Sequence, residues 1–319
     1  MTFELTILGT SAAVPYKNRF LSGQILNVHG ELFLIDCGEA AQFRFQHLGI
    51  KHSRLNHVFI SHLHGDHCFG IFGLLTSMAM MGREMPIHIH APEGMEAMIE
   101  AVFKATYYKS PFKIHFYVLN TEGPHSKATL IFENDKLTVH SFHLNHRVPT
   151  CGFIFREKPF PRNIIPEKIK QYNLTYENIK AVKQGFDMKY KEPTMEGLII
   201  PNSELTMPPL IPRSFAYCSD TTYFEPILPH VEGVDLLYHE ATFLDNMKEH
   251  AFMAGHTTAL EAGMMAQKAR VKQLIIGHYS ARYDDLEVLL LETKTQFPNT
   301  VLGMDGQSYS VEMNRFVPI

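Results

Sequence analysis

One short run of residues sets the chemistry to look for. Ser61-His62-Leu63-His64-Gly65-Asp66-His67 follows directly on the apolar stretch Val58-Phe59-Ile60. In an extended segment His62 and His64 project from the same side, and a turn at Gly65 can bring Asp66 and His67 round toward the same point. Imidazoles with a carboxylate suit Zn²⁺, and the lack of cysteine among them disfavours a closed structural site. An open coordination position points to catalysis. The chain has 19 histidines, but a count only directs attention to spacing. His88 and His90 alternate within an apolar run, His140 and His143 do so less regularly, and no second acidic cluster accompanies them, so packing or surface roles are expected. Cys37, Cys68, Cys151 and Cys218 form no CxxC pair. They are read as small buried hydrophobes rather than a disulfide framework or thiolate zinc knuckle.

The elements that must position these side chains follow from periodicity. Short apolar strands are expected at Phe3–Leu8, Gln24–Val28, Leu32–Ile35, His57–Ile60, Ile87–His90, Phe112–Leu119, Leu137–Leu144 and Gly152–Phe155. Helical patterns run from about His67 to Met81 and from Glu93 to Ala105. The second half resumes with strands at Ser214–Cys218, Leu236–His239 and Leu274–Gly277, and helices at His256–Arg270 and Asp284–Gln296. This order suggests an α/β fold of two mixed sheets covered outside by helices. The 319 residues suffice for one large domain or two smaller ones, and 45% hydrophobic with 19% charged residues is ordinary globular composition. No basic leader precedes an apolar stretch at the N-terminus and no run of about 18 apolar residues occurs. A cytoplasmic protein with no membrane partner is therefore expected.

Between the halves, Glu157–Pro212 is rich in proline and lysine, with one weak helical pattern around Glu167–Val182. From Lys158 to Lys191 it carries eight Lys or Arg against three acids, in a chain of net charge −4. A solvated surface excursion and an arm that grips a polyanion both fit that charge.

The HxHxDH run at a strand end resembles the metal-binding signature of the metallo-β-lactamase superfamily, and its later ligands recur in order. His146 sits between two strands, Asp220 closes one in Tyr217-Cys218-Ser219-Asp220, and His278 closes another in Ile275-Ile276-Gly277-His278. The resemblance implies that His62, His64 and His146 bind one zinc, that Asp66, His67 and His278 bind the other, and that Asp220 bridges them. It also implies an αββα sandwich. Further motifs are similar to those of the tRNase Z family within that superfamily: Gly9-Thr10-Ser11 with Pro15 and Arg19, Asp36-Cys37-Gly38-Glu39-Ala40-Ala41-Gln42, and His146-Arg147-Val148-Pro149 with Gly152-Phe153 and Glu157. Tyr238-His239-Glu240-Ala241-Thr242, Gly255-His256-Thr257-Thr258 and His278-Tyr279-Ser280-Ala281-Arg282-Tyr283 complete the set. Two departures stand out. Arg19-Phe20 replaces the family's Arg-Asn pair, and the Gly-Pro pair usual in its arm is missing from Gln171–Glu177.

What this resemblance implies is specific. The chain would be one metallo-β-lactamase-type domain over 1–319 carrying an inserted flexible arm at 158–210, a tRNA-binding exosite whose contacts include Lys168, Lys170, Lys180 and Lys183. It would be a zinc-dependent hydrolase, an endoribonuclease with two Zn²⁺ per subunit and precursor tRNA as its partner. It would work as a homodimer and remove 3′ trailers, leaving a 3′-hydroxyl on tRNA and a 5′-phosphate on the trailer. Asp66 would orient or deprotonate water activated by metal, and Glu240 with His256 would supply the proton to the leaving 3′-oxygen. Arg19 and Arg282 are read either as phosphate contacts or as surface ion-pair residues. A relative acting on small phosphodiesters or other esters, needing no basic arm, is the enzymatic alternative; an RNA-binding scaffold with a vestigial site is the other.

Overall fold

The computed structural model describes residues 1–121, 127–189 and 199–316. They fall into two compact units. The first comprises Met1–Arg156 and Ser214–Val311, and the second Glu157–Arg213 and Glu312–Ile319.

The first unit is a sandwich of two mixed seven-stranded sheets. One is built from β1 (Phe3–Gly9), β2 (Gly23–Val28), β3 (Glu31–Cys37), β4 (Leu55–Phe59), β5 (Ile87–Ala91) and β6 (Ile114–Val118), and the other opens with β7 (Thr129–Glu133), β8 (Leu137–His143) and β9 (Cys151–Glu157). After β10 (Met188–Lys189) and β11 (Ile199–Ile200), which belong to the second unit, come β12 (Ser214–Cys218), β13 (Leu236–Glu240), β14 (Gln273–Gly277), β15 (Thr300–Leu302) and β16 (Ser308–Ser310). The sheet orders are β16-β1-β2-β3-β4-β5-β6 and β15-β14-β13-β12-β9-β8-β7. Strands β3 to β6 run parallel to one another, as do β12 to β15.

Alternation along each strand divides its side chains between two cores. Phe33 and Ile35 of β3 face the other sheet, where they join Phe59, Phe153, Phe155 and Phe215, whereas Leu32 and Leu34 face outward under the helices. Those helices, Ala41–His47, Gly70–Met80 and Met95–Ala105, cover the first sheet. The second is covered mainly by Ala259–Lys268 and Glu287–Lys294, with Leu274 and Ile276 of β14 beneath them and Ile275 turned inward. The αββα arrangement expected from the sequence is therefore the one observed. Gly70 explains one close approach: a Cβ there would stand 1.9 Å from the Gly38 carbonyl oxygen, so only glycine lets this helix abut the turn after β3.

Several boundaries differ from the sequence reading, each for a local reason. The helix expected at His256–Arg270 starts at Ala259, because Thr258 and Glu261 form a reciprocal capping box that leaves His256 outside it. The single helix expected over Glu167–Val182 is two, Pro166–Gln171 and Tyr176–Lys183, separated by Asn173 in the left-handed region (φ 45) and restarted by Thr175 capping Asn178. In this second unit Leu174, Val182, Met188, Ile200 and Leu205 form a small core of their own. The C-terminal segment joins it through Ile211 N to Asn314 O and Phe316 N to Pro209 O. Of the inserted stretch 158–210, residues 190–198, Lys191 among them, lie outside the described residues. Among the described residues no helix is long and apolar enough to cross a membrane.

The extra histidines have structural work, as expected. His57, His88 and His115 on β4, β5 and β6 stack with ring centroids 4.8 and 4.9 Å apart, and Phe59, His90 and Tyr117 repeat the ladder at 4.5 and 4.6 Å. Burial, reinforced by the neighbouring rings' charge, holds His57 at about 4 and His90 at about 3, both below the ordinary 6.5. His90 Nδ1 is buried with no hydrogen-bond partner, so an added proton there has no acceptor. Because both values are depressed, these rings contribute fully above about pH 6.5 and lose that contribution as pH falls toward 4 and 3. Urea midpoints followed downward in pH should show a loss of roughly 1 kcal/mol per ring by about pH 5.5. His90→Phe should flatten that slope, and an identical slope in the variant would refute the assignment.

Candidate metal centre and active site

The site lies where parallel strands of both sheets end. His62 and His64 follow β4, Asp220 follows β12, Glu240 is the last residue of β13, and His278 follows β14. His146 sits in the connection from β8 to β9. The turn expected at Gly65 is the first turn of a short helix, Gly65–Cys68, which swings Asp66 and His67 toward the two preceding histidines. His278 holds a left-handed backbone (φ 59), as does Asp36 (φ 55) at the end of β3. Non-glycine residues there cost on the order of 1–3 kcal/mol each, which the surrounding structure must offset.

Three groups of donor atoms converge: His62, His64, His146 and Asp220 in one, Asp66, His67 and His278 in another, and Asp220, His256 and His278 in a third. Asp220 faces the first two. Its Oδ2 lies 3.5 Å from His62 Nε2 and 3.9 Å from His146 Nε2, and its Oδ1 lies 3.3 Å from both His67 Nε2 and His278 Nε2. Asp66 Oδ2 lies 3.6 and 3.5 Å from the last two nitrogens and also accepts from Ala13 N at 2.8 Å. The first loop, with Ala12 N bound to Tyr279 O and Tyr279 N to Thr10 O, thereby holds Asp66 against the segment that follows His278.

The ring protons are assigned by what surrounds them. His67 Nδ1 donates to Asp36 Oδ2 at 2.8 Å and His146 Nδ1 to Gly255 O at 2.7 Å, since neither oxygen can donate. Thr242 Oγ1 donates to Glu240 Oε2 at 2.5 Å, so it must accept from His278 Nδ1 at 2.9 Å. Ser61 Oγ donates to Asp36 Oδ2, so His62 Nδ1, 3.0 Å away, donates to Ser61. In the neutral form of these rings four Nε2 lone pairs point inward, with His64 presenting Nδ1. His67 Nε2 and His278 Nε2 are then 3.2 Å apart with lone pairs facing. Asp220 Oδ1 is buried without a hydrogen bond. Lone pairs packed this way suit cations held between them, and nitrogen with carboxylate oxygen is the donor set of a hydrolytic metal centre.

Beside the cluster stands a coupled acid. His256 Nδ1 donates to Glu240 Oε1 at 2.9 Å, and the fully buried Glu240 also accepts from Thr221 N. Burial opposes the imidazolium, but the Glu240 carboxylate outweighs it and raises His256 to about 9. For Glu240 burial works upward, and His256 brings the carboxyl below its usual range. His256, which also lies among donor atoms with Asp220 and His278, has its Nδ1 committed to Glu240.

Sequence reasoning places seven ligands and the Glu240/His256 pair, and the fold brings all nine together. Arg19 stacks 5.2 Å over Tyr16 and reaches Ser280 O, and Arg282 stacks over Phe243 with Nη1 3.3 Å from His250 Nε2. Neither is among the converging donors. In the second unit Lys170, Lys180 and Lys183 are exposed, whereas Lys168 turns onto Glu204 at 3.5 Å. Sequence reasoning quotes Asp36, Thr242 and Gly255 within family-like motifs but gives them no role. Asp36 has the same signal as Asp220 and His278, a charged residue just beyond an apolar strand. Gly255 has only a positive φ (79) and a phantom Cβ 2.6 Å from His146 Nδ1 to mark it.

Relatives align over the whole of this arrangement. Ribonuclease Z of Bacteroides thetaiotaomicron is 42% identical over 309 residues, covering 97% of this chain and 95% of that protein. Ribonuclease Z of Cytophaga hutchinsonii is 42% identical over 311 residues, covering 98% and 97%. Human tRNase Z, short form, superposes with a TM-score of 0.69 at 24% identity, covering 97% of this chain and 99% of that one. The metallo-β-lactamase fold protein YhfI of Bacillus subtilis gives 0.66 at 19% over 98% and 100%, and both likenesses establish the fold. Residues 3–163 also match the family model described as Anti-Pycsar protein Apyc1.

If Thr242 fixes the His278 tautomer, Thr242→Val should weaken metal affinity at that half of the site by roughly 10- to 100-fold, turning a chelator titration biphasic. A titration that overlays the wild type would remove Thr242 from the metal's support. With its first half also fitting the Apyc1 model and its whole length aligned to ribonuclease Z proteins, the chain belongs to the ribonuclease Z family, on the metallo-β-lactamase fold.

Proposed function

We propose that this chain is a two-zinc endoribonuclease that cuts precursor tRNA after the discriminator nucleotide, leaving a 3′-hydroxyl on tRNA and a 5′-phosphate on the trailer. The observation that carries the chemistry is Asp220, one carboxylate offering each of its oxygens to a different set of histidine nitrogens. His62, His64 and His146 would hold one ion, and Asp66, His67 and His278 the other. Two bound zinc ions supply Lewis acidity and lower the pKa of water to about 7. Asp66, fixed by Ala13 N, orients the attacking water. His256, kept protonated by Glu240, delivers its proton to the departing 3′-oxygen. Family membership supplies the substrate. A cytoplasmic homodimer is part of this reading, and so is the inserted unit as tRNA-gripping arm, supported by its exposed Lys170, Lys180, Lys183 and Lys189 in a chain of net charge −4.

One second reading is hydrolysis of a small phosphodiester, which needs the metal centre but no basic arm; residues 3–163 are the stretch that matches the Apyc1 model. That stretch contains His62, His64, Asp66, His67 and His146 but stops before Asp220, Glu240, His256 and His278. A 3′-extended precursor tRNA and bis(p-nitrophenyl) phosphate, offered to the zinc-loaded protein, separate the two. A cut just after the discriminator, lost in His64→Ala and on chelation, supports the ribonuclease; an intact precursor beside rapid diester hydrolysis installs the alternative.

Two further outcomes are expected. His256→Ala should slow precursor cleavage by roughly 10²- to 10⁴-fold. Cleavage by the wild type should fall as pH rises through about 9, the value held by Glu240, and Glu240→Gln should move that fall to lower pH. A pH profile unchanged by Glu240→Gln removes His256 as the acid. Replacing Lys170, Lys180 and Lys183 by alanine should raise KM rather than lower kcat and reduce the salt slope of binding by about one for each lysine that pairs with a phosphate. An unaltered slope leaves the arm without a role in tRNA binding.

A further inference from the structure

Next to His256 the first unit has a cavity of ≈ 480 Å³ that no step above uses. His256 itself lines it, with Tyr223, Phe252 and Met253. Phe252 and Met253 lie on the helix Lys248–Ala254, where Ala251 alone is buried; they are 66% and 76% exposed, so they do not hold the helix to the core. What fixes the helix is its end. Gly255 caps it in the left-handed region, and the Gly255 carbonyl accepts from the ligand His146 at 2.7 Å. The next residue is His256, bound to Glu240. One turn of backbone thus ties two large apolar side chains to both a metal ligand and the proton donor.

Resting on the ribonuclease reading, we propose that this cavity receives the nucleobase of the discriminator, the nucleotide whose 3′-oxygen leaves, with Phe252 as its stacking platform. His256 must reach that 3′-oxygen, so the sugar that carries it sits at the cavity's edge. The lining favours a base over backbone. Of the charged groups that line it besides His256, Lys248 and Glu261 pair with each other at 3.0 Å, which leaves the Glu249 carboxylate to disfavour phosphate. An aromatic face accepts any base, since every base has a π-face. Recognition here is by stacking, tolerant of which base occupies the position.

The test crosses substrate with enzyme. Precursor tRNAs with a natural or an abasic discriminator, and one abasic at the first trailer nucleotide, are cut by wild type, Phe252→Ala and Phe252→Tyr. The abasic discriminator should lower wild-type kcat/KM by roughly 5- to 100-fold. Phe252→Ala should lose about as much on the natural precursor and little more on the abasic one, and Phe252→Tyr should recover it. If wild type cuts natural and abasic-discriminator precursors alike, or if the two losses multiply, the inference is overturned while the ribonuclease reading stands. If the loss that Phe252→Ala abolishes attaches instead to the trailer position, the cavity takes the trailer base and the inference also fails. A wild type that cuts no precursor removes the ribonuclease reading and the inference with it.

Discussion

Donor atoms of seven side chains aimed at one another inside a protein repel unless positive charge lies between them. Here that constraint is concentrated on Asp220, which is buried, shared by two sets of histidine nitrogens, and left with one oxygen that no hydrogen bond satisfies. Taking a carboxylate out of water costs several kcal/mol in a real protein. An arrangement with this cost is tolerable where cations complete it, and the surrounding structure serves mainly to keep the lone pairs facing inward.

It does so through a shell of acceptors. Asp36 collects Ser61 N, Ser61 Oγ, His67 Nδ1 and Tyr217 OH, and so ties the end of β3, the start of the histidine run and β12 to a single carboxylate. Thr242 gives its proton to Glu240 and its lone pair to His278, which couples the metal ligand to the Glu240/His256 acid. Gly255 does the same for His146 and the helix beside the cavity. The tautomers of His67, His146 and His278 are therefore set by Asp36, Gly255 and Thr242, groups from three different segments of the chain.

The two units carry their charge differently. In the first, charge is paired and buried around the donors. In the second, a small core of five buried apolar side chains leaves lysines on its surface. A catalytic centre needs fixed geometry at the scale of a hydrogen bond, whereas attraction for a phosphate backbone needs only exposed charge.

The sequence by itself determined the sandwich, because strand periodicity is a local signal, and it pointed to the candidate ligands, the His62–His67 run by its spacing and His146, Asp220 and His278 by resemblance to a known superfamily. His62 to His67 could be read from six consecutive residues, and the alternation in β3 or β14 from five to seven. Only the tertiary structure decided which nitrogen of each histidine faces the centre, because the partner that fixes it lies far away in the chain, as Gly255 does for His146 and Thr242 for His278. It also decided that Asp36 is a hub, that the arm's helix breaks at Asn173, and that a cavity opens beside His256. These depend on what packs against a residue, and local pattern does not encode which distant residue that will be.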